Sequence, residues 1–446
     1  MSTQYLHRFL FALLVLYLSG LPVHAQNQVL TSLEEVLRFA QVHSPQPKIR
    51  QMQSVQQDHA TKISRAELFP SLRAYGTWDN YLQLPVQLLP SEAVGGEPGT
   101  FTEIRFGTQY QLSLGLEASL PLFDPELWNK VKADRLRSQA TLQDLAAQQQ
   151  AWSEEIARAY FQLLLHRESL LLAKERFHLS DSIFRLASLT YQAGEMEPLP
   201  YQRIKATAQA AQNAHIKQKK QEELAHATLL RIIGSAAGEV EFTERFKWSP
   251  SVNQEVDYVL SALPEWKKAD LEVAGSEQAW KQSRASHLPK LTATGRFYQQ
   301  TLANNFNLSG ASSFEVGVVG LSLNWNLFQG NLKRLKTKTA YLDWQIAKEQ
   351  QRHIQQVLSE EQSRLQSEWI NNHRVVQGFD PLLKLYADNF RLAGLQWAAG
   401  IIPADELLQV EKEWLEQQQE YLIALADLFT SQALLVIRNQ TYSENP

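Results

Sequence analysis

The sequence predicts a mainly α-helical chain of two structural repeats, each setting a pair of amphipathic, membrane β-barrel-type strands between long coiled-coil helices. Three observations carry this expectation. One series of short motifs occurs twice in the same order, a twelve-residue stretch alternates strictly between apolar and polar residues, and two long segments keep an apolar period of about 3.5 residues.

The N-terminus reads as an export signal. Arg8 precedes the apolar stretch Phe9 to Leu18, and Val23-His24-Ala25 forms a small-residue cleavage site before Gln26. That apolar core is too short to span a bilayer, so residues 1–25 are expected to be removed and residues 26–446 to form the mature chain. The formal charge of -4 becomes -5 once Arg8 is gone, which leaves no basic footprint for nucleic acid. The chain has no cysteine, which excludes a lipidated cysteine, disulfides, thiolate metal sites and a cysteine nucleophile. After the signal, no run approaches the ~18–20 consecutive apolar residues of a transmembrane helix, so membrane crossing falls to strands.

The duplication organises the rest. Residues 65–76, running from Arg65 through Phe69-Pro70-Ser71-Leu72 to Gly76, return as residues 284–295, with Leu288-Pro289-Lys290-Leu291 in the middle. Leu122-Phe123 returns as Leu327-Phe328, and Tyr191-Gln192-Ala193-Gly194 returns as Trp397-Ala398-Ala399-Gly400. The offset is 219 at Pro70, 205 at Phe123 and 206 at Gly194, so the first copy carries fourteen extra residues between its strands. Repeat one covers about 30–235, with strands at about 71–82 and 108–120; repeat two covers about 256–440, with strands at about 290–300 and 314–327.

Alternation defines the strands. Between Gln109 and Leu120, the residues Tyr110, Leu112, Leu114, Leu116, Ala118 and Leu120 face one way, while Gln111, Ser113, Gly115, Glu117 and Ser119 face the other. Twelve tilted residues suffice to cross a bilayer, and an apolar-out, polar-in strand suits a water-filled barrel, with Tyr110, Leu112, Leu114 and Leu116 on lipid and Ser113 on water. A soluble sandwich strand with one wet face fits the same alternation. The alternation slips at Val318-Val319, where a bulge is expected. The connecting loops, Ser91 to Thr100 and Asn304 to Ser313, are rich in Gly, Pro, Asn and Ser, as exposed caps at one barrel end require.

The helices follow. Steps of four and three from Trp152 meet Ile156, Ala159, Leu163, His166, Leu170, Ala173, Phe177, Ser180, Phe184, Ala187 and Tyr191; adding 206 gives Leu358 to Trp397, with Gln362 and Asn372 as the polar exceptions. Such a period demands a helical partner along its length. A helix from about Glu126 to Tyr191 would be roughly 100 Å long. Asp380-Pro381 is expected to kink its counterpart. The flanking helices, Thr31 to Arg65, Pro198 to Ile233, Val256 to Ser286 and Ala404 to Ile437, are about half as long, and Gly234 to Ser249 forms an irregular insert or a short equatorial element.

Enzymatic chemistry finds no foothold. G-x-x-x-x-G-K-[ST], G-x-S-x-G and H-E-x-x-H are all missing, and no cofactor is implied. His353 and His373 form no tight ligand pair, and a hydrogen-bonded seam residue is the plainer reading of His166.

Taken in order, Pro70-Ser71-Leu72 and Pro289-Lys290-Leu291 before the strands, Pro121-Leu122-Phe123-Asp124 and Asn326-Leu327-Phe328-Gln329-Gly330 after them, and the glycine turns at Gly194 and Gly400 resemble the TolC family of outer-membrane efflux channels. The resemblance covers the mature chain. It implies a homotrimer in which four strands per chain close a twelve-stranded barrel in outer-membrane lipid, while the helices form a periplasmic α-barrel. It also implies a passive exit duct of a tripartite efflux or type I secretion system, reached by an inner-membrane pump through a periplasmic adaptor (membrane fusion) protein. The helix turns would be the periplasmic tips and gate, with Tyr191, Gly194, Trp397, Gly400, Asp405 and Glu406 as the residues concerned. Trp397 stands where the family often has a tyrosine of the closing lock, Ile402 where some members have arginine, and Glu406 at an acidic ring position. Pro198 and Pro200 depart from the first tip's usual helical residues. Asp405 and Glu406 fit two readings, a carboxylate ring at the pore or helix-start charges after Pro403. The remaining class of function, a structural coiled-coil protein of the periplasm or cell surface, has no use for duplicated amphipathic hairpins. The transported substrate is not legible.

Overall fold

The computed structural model describes residues 28–95, 97–236, 240–246, 259–306 and 310–443. The predicted leader, parts of the insert after Gly234 and the expected helix start at Val256 lie outside the described residues. The chain divides into two compact units, one of Met1–Gln51, Ala146–Leu263 and Val357–Pro446, the other of Met52–Leu145 and Pro264–Gln356.

The second unit holds a four-stranded antiparallel sheet of β2 (Ser71–Asn80), β5 (Tyr110–Phe123), β7 (Lys290–Ala303) and β8 (Ser312–Asn324), in the order β2-β5-β7-β8. Register is unbroken along β7 and β8, with Arg296 opposite Val318 and Gly295 opposite Val319, so the bulge expected at Val318-Val319 is absent. What slips is the chemistry. Phe314, Val316 and Val318 lie on the face shared with Arg73, Glu117 and Arg296, and only from Val319 do the apolar residues of β8 join the face of Leu116. The one register shift between β5 and β7 lies between Pro121 and Phe123, where proline has no amide proton to give the ladder. The extra length of the first copy falls in a segment that holds a ribbon of β3 (Val86–Pro90) and β4 (Phe101–Arg105), closed by a 3₁₀ turn at Ser91–Val94 and by Gly95 and Gly99 at φ 84° and 85°.

The long helices are α3 (Pro125–Gln192, 68 residues) and α6 (Leu332–Ala398, 67 residues), the latter continuous through Pro381. Asp124 caps α3 by accepting from Leu127 N at 3.0 Å, with Pro125 at the first helical position. The helix expected from Thr31 to Arg65 is two helices, α1 (Leu33–His43) and α2 (Pro45–Ala66), because Ser44 precedes a proline and is extended, at φ -68° and ψ 143°. Likewise Leu263 before Pro264 is extended, so α5 spans Pro264–Ala285 and starts later than expected. The returning helices are α4 (Pro198–Ile233) and α7 (Ala404–Ser443).

In the first unit the seam residues Trp152, Ile156, Leu163 and Ala187 of α3 and Leu358, Leu365, Val376 and Ala393 of α6 are buried. Around Ile156 and Tyr160 gather Val36, Leu229, Ile233 and Phe242. The insert after Gly234 supplies β6 (Val240–Phe242), which pairs in parallel with β1 (Gln28–Leu30). Gly234 itself ends α4 at φ 76°, and a Cβ there would come within 2.8 Å of Ser44 Cα. One stretch of α7, Ala404–Asn439, is apolar and long enough by composition to cross a membrane, although Asp427 and Thr430-Ser431-Gln432 break its apolar run. Its Leu425, Leu428, Leu434 and Leu435 are instead buried inside the protein, and its Arg438, also buried, pairs with Glu154 and Glu361, each at 2.9 Å.

Candidate functional site

Two places in the chain carry the candidate functional residues, one face of the sheet and the turns that join the helices. On the sheet, the ladders fix which side chains share a face. Leu116 lies level with Ala74, Phe297 and Gly317, and Leu114 with Gly76, Gln299 and Glu315. This face is bare in the single chain. Leu114 is 53% exposed, Leu116 47% and Val319 90%, whereas Ser113 on the other face is 6% exposed. Ser113 therefore departs from the expected open, wet position; it is flanked across the ladders by Thr77 and Gln300. Leu112 is part-buried, and Tyr110 stacks on Trp78 at 5.7 Å with Phe306 edge-on to both rings. Gly115 has a packing reason, since a Cβ there would meet Tyr298 Cβ at 2.3 Å and Phe297 O at 2.7 Å. Among the described residues both sheet edges, β2 and β8, pair on one side only.

The two helix turns share one geometry. Gly194 N donates to Tyr191 O at 3.0 Å and Glu195 N to Thr190 O at 3.0 Å; Gly400 N donates to Trp397 O at 2.9 Å and Ile401 N to Gln396 O at 2.8 Å. Both glycines are left-handed, at φ 78° and 71°, and among the described residues nothing beyond their own chain neighbours lies within 4 Å of a Cβ added to either. Of the two reasons for glycine, positive φ or close helix approach, these turns use the first. Tyr191 stacks on Tyr201 at 4.3 Å. Trp397 is part-buried against the cluster of Ile183, Ala187, Ile204, Ala393, Leu407 and Leu408. Pro198 and Pro200 fall in the first turn of α4, where the missing amide protons cost little.

Asp405 and Glu406 differ in their surroundings. Asp405 meets Arg203 of α4 at 3.5 Å, while Glu406 is exposed. Sequence spacing gave no sign of Arg203, because the pairing joins two repeats. A further residue missed was Glu411, 2% exposed on α7 between Leu408 and Leu415. Burial pushes its carboxyl up to about 7, against the pull of Arg176. Steps of three and four from Leu408 would have found it as a polar exception in an apolar stripe. His166 takes the plainer role expected of it, with Nδ1 at 3.1 Å from Gln218 Nε2, and burial holds it below the usual imidazole range. Among the described residues there is no cluster of three or more His, Asp or Glu able to hold a metal.

Against this geometry, the family description "Outer membrane efflux protein" matches residues 50–235 and 257–436. The chain belongs to the outer membrane efflux protein family. Its fold is that of the TolC-type channels: VceC of Vibrio cholerae superposes with a TM-score of 0.74 at 15% identity, covering 91% of this chain and 95% of that one. The CmeC channel of Campylobacter jejuni gives 0.76 at 14% identity, over 92% and 86%. The open state of the MtrE channel of Neisseria gonorrhoeae gives 0.71 at 16% identity, over 91% and 88%. No curated protein matches the sequence. The two repeats of long helices with an interposed sheet are the architecture that the chain shares with these structures.

Proposed function

We propose that three copies of this chain close their sheets into one barrel in the outer membrane and act as the passive exit duct of an efflux assembly. The observation that carries the reading is the sheet, with two edges unpaired in the chain and one apolar face bare. Unpaired strand edges cannot stand in lipid, so the edges need neighbours and the apolar face needs hydrocarbon. Tyr110, Leu112, Leu114 and Leu116 then face lipid.

The helices project into the periplasm, and the turns at Gly194 and Gly400 form their tips, where a periplasmic adaptor docks and links the duct to an inner-membrane pump. Trp397 packs the seam next to the second turn, and Glu406, repeated by symmetry, supplies carboxylates at the tip entrance with Asp405 damped by Arg203. The pump selects the cargo, for which small toxic molecules are the first class to try. Purified protein added to planar bilayers should give discrete conductance steps. Protein that is fully soluble without detergent and produces no steps would instead be a structural coiled coil.

A further inference from the structure

A cavity of about 250 Å³ opens where β7 and β8 meet the helices, and Lys290, Lys333, Lys336, Asn324, Asn326 and Gln329 lie in its wall. Glu126 is the one carboxylate among the lining residues, and it is engaged by Lys290 at 2.9 Å, as is Asp124 behind it at 3.1 Å. Lys333 Nζ donates to Ser286 O at 2.6 Å and Asn326 O at 3.3 Å, partners that hold the ammonium in place without cancelling its charge. Lys336 is exposed and has no ion pair among the described residues. The cavity also borders the first turn of α6, whose amide end favours an anion. Positive charge thus exceeds negative charge in a concave site that offers additional amide donors.

The place in the fold says which anion. At this end of the sheet, Phe123 meets Trp128 edge-on at 5.3 Å, Trp325 Nε1 donates to His287 O at 3.0 Å, and Phe328 is 82% exposed. At the other end of the strands stand Trp78, Tyr110 and Phe306. Two aromatic groups at opposite ends of one apolar sheet are the mark of the two membrane interfaces. The cavity lies with the helix-side group, at headgroup depth, and Leu288 and Leu332 on its rim are each 48% exposed. Basic pockets at that depth suit the head groups of anionic lipids. We propose that this cavity binds the phosphate headgroup of an anionic phospholipid from the periplasm-facing leaflet, with Lys333 and Lys336 as the main contacts and the acyl chain lying along the exposed leucines. The proposal rests on the sheet spanning the bilayer as set out above.

The test is native mass spectrometry of the full-length assembly titrated with phosphatidylglycerol and, separately, phosphatidylethanolamine of the same chains. Each cation near anionic headgroups is worth about a fivefold preference. Wild type should retain phosphatidylglycerol over phosphatidylethanolamine. Lys336→Gln should lower that preference about fivefold, and Lys333→Gln with Lys336→Gln roughly 25-fold. The single variant stands alone if the loss of Lys333 disturbs folding. Arg334→Gln with Lys338→Gln, the same charge change outside the cavity lining, should lower it clearly less than the cavity pair does. An equal fall in both double variants would make this diffuse surface charge and overturn the site, as would no preference in wild type. Displacement of the lipid by millimolar inorganic phosphate would overturn the lipid assignment. Wild-type conductance in pure phosphatidylcholine bilayers is recorded alongside: its absence overturns the membrane placement, whereas conductance without lipid preference overturns this inference alone.

Discussion

A lysine placed at Leu116 interrogates the sheet more sharply than one at any other position. Leu116 sits level with Ala74, Phe297 and Gly317, and the levels toward the helices stay apolar: Leu72, Ala118, Gly295 and Val319, then Leu120, Ala293 and Leu321, then Leu291 and Leu323. One level further from the helices, Leu114 shares its row with Gln299 and Glu315. Leu116 is therefore well inside the apolar band and Leu114 near its margin. A charge on the lipid face costs about 2–4 kcal/mol at the midplane and about 0–1 near the interfaces. Leu116→Lys should lower the folded-to-unfolded ratio about 30- to 1,000-fold per chain, and Leu114→Lys by fivefold or less. Gln111→Lys, on the opposite face and level with Asp79, should change it by less than about 0.5 kcal/mol. The assay is urea titration of protein folded into phosphatidylcholine vesicles at one protein-to-lipid ratio, followed by tryptophan fluorescence. Equal losses at Leu114 and Leu116, or the largest loss at Gln111, would refute the facing and the depth together.

Three further predictions follow from the helices. Ala at Gly194 or Gly400 must hold φ near 78° or 71° and should cost about 1–2 kcal/mol in thermal unfolding, whereas Gly378→Ala, inside α6 with open space around it, should stabilise by up to about 1 kcal/mol. Asp405→Asn with Glu406→Gln should lower cation selectivity in reversal-potential measurements, Arg203→Gln should raise it by freeing Asp405, and Trp397→Ala should raise conductance; unchanged selectivity in the double variant would leave both carboxylates as helix-start charges. Burial lifts Glu411 from 4.5 to about 7, so the folded chain holds this proton more tightly than the unfolded one, and its contribution to stability declines as pH rises through that window. Glu411→Gln should remove the decline, on the order of 3 kcal/mol by pH 8, when unfolding is followed by circular dichroism across pH.

The periodic features were legible. The seam from Trp152 reads as helix because α3 buries Trp152, Ile156, Leu163 and Ala187 on one stripe, and Tyr110 to Leu120 reads as strand because the apolar residues of β5 share one face, on which Leu114 and Leu116 are exposed. Local breaks were less visible. Ser44-Pro45 and Leu263-Pro264 both carry the restriction that proline places on its predecessor, and reading through them lengthened two helices. The slip at Val318-Val319 suggested a bulge because alternation alone cannot tell a shifted backbone from a change in side-chain chemistry on an unbroken ladder. The Arg203–Asp405 pair and the Lys290–Lys333–Lys336 cavity stayed hidden for a different reason, since each joins segments that only the folded chain brings together.

In the proposed duct the unpaired edges of β2 and β8 are completed by other copies of the same chain. Native mass measurement of the full-length protein, released from the membrane in mild detergent, tests it most directly. Particles of three chains are expected. A stable single-chain particle that keeps its sheet content would contradict it, because its edges would then need no neighbour.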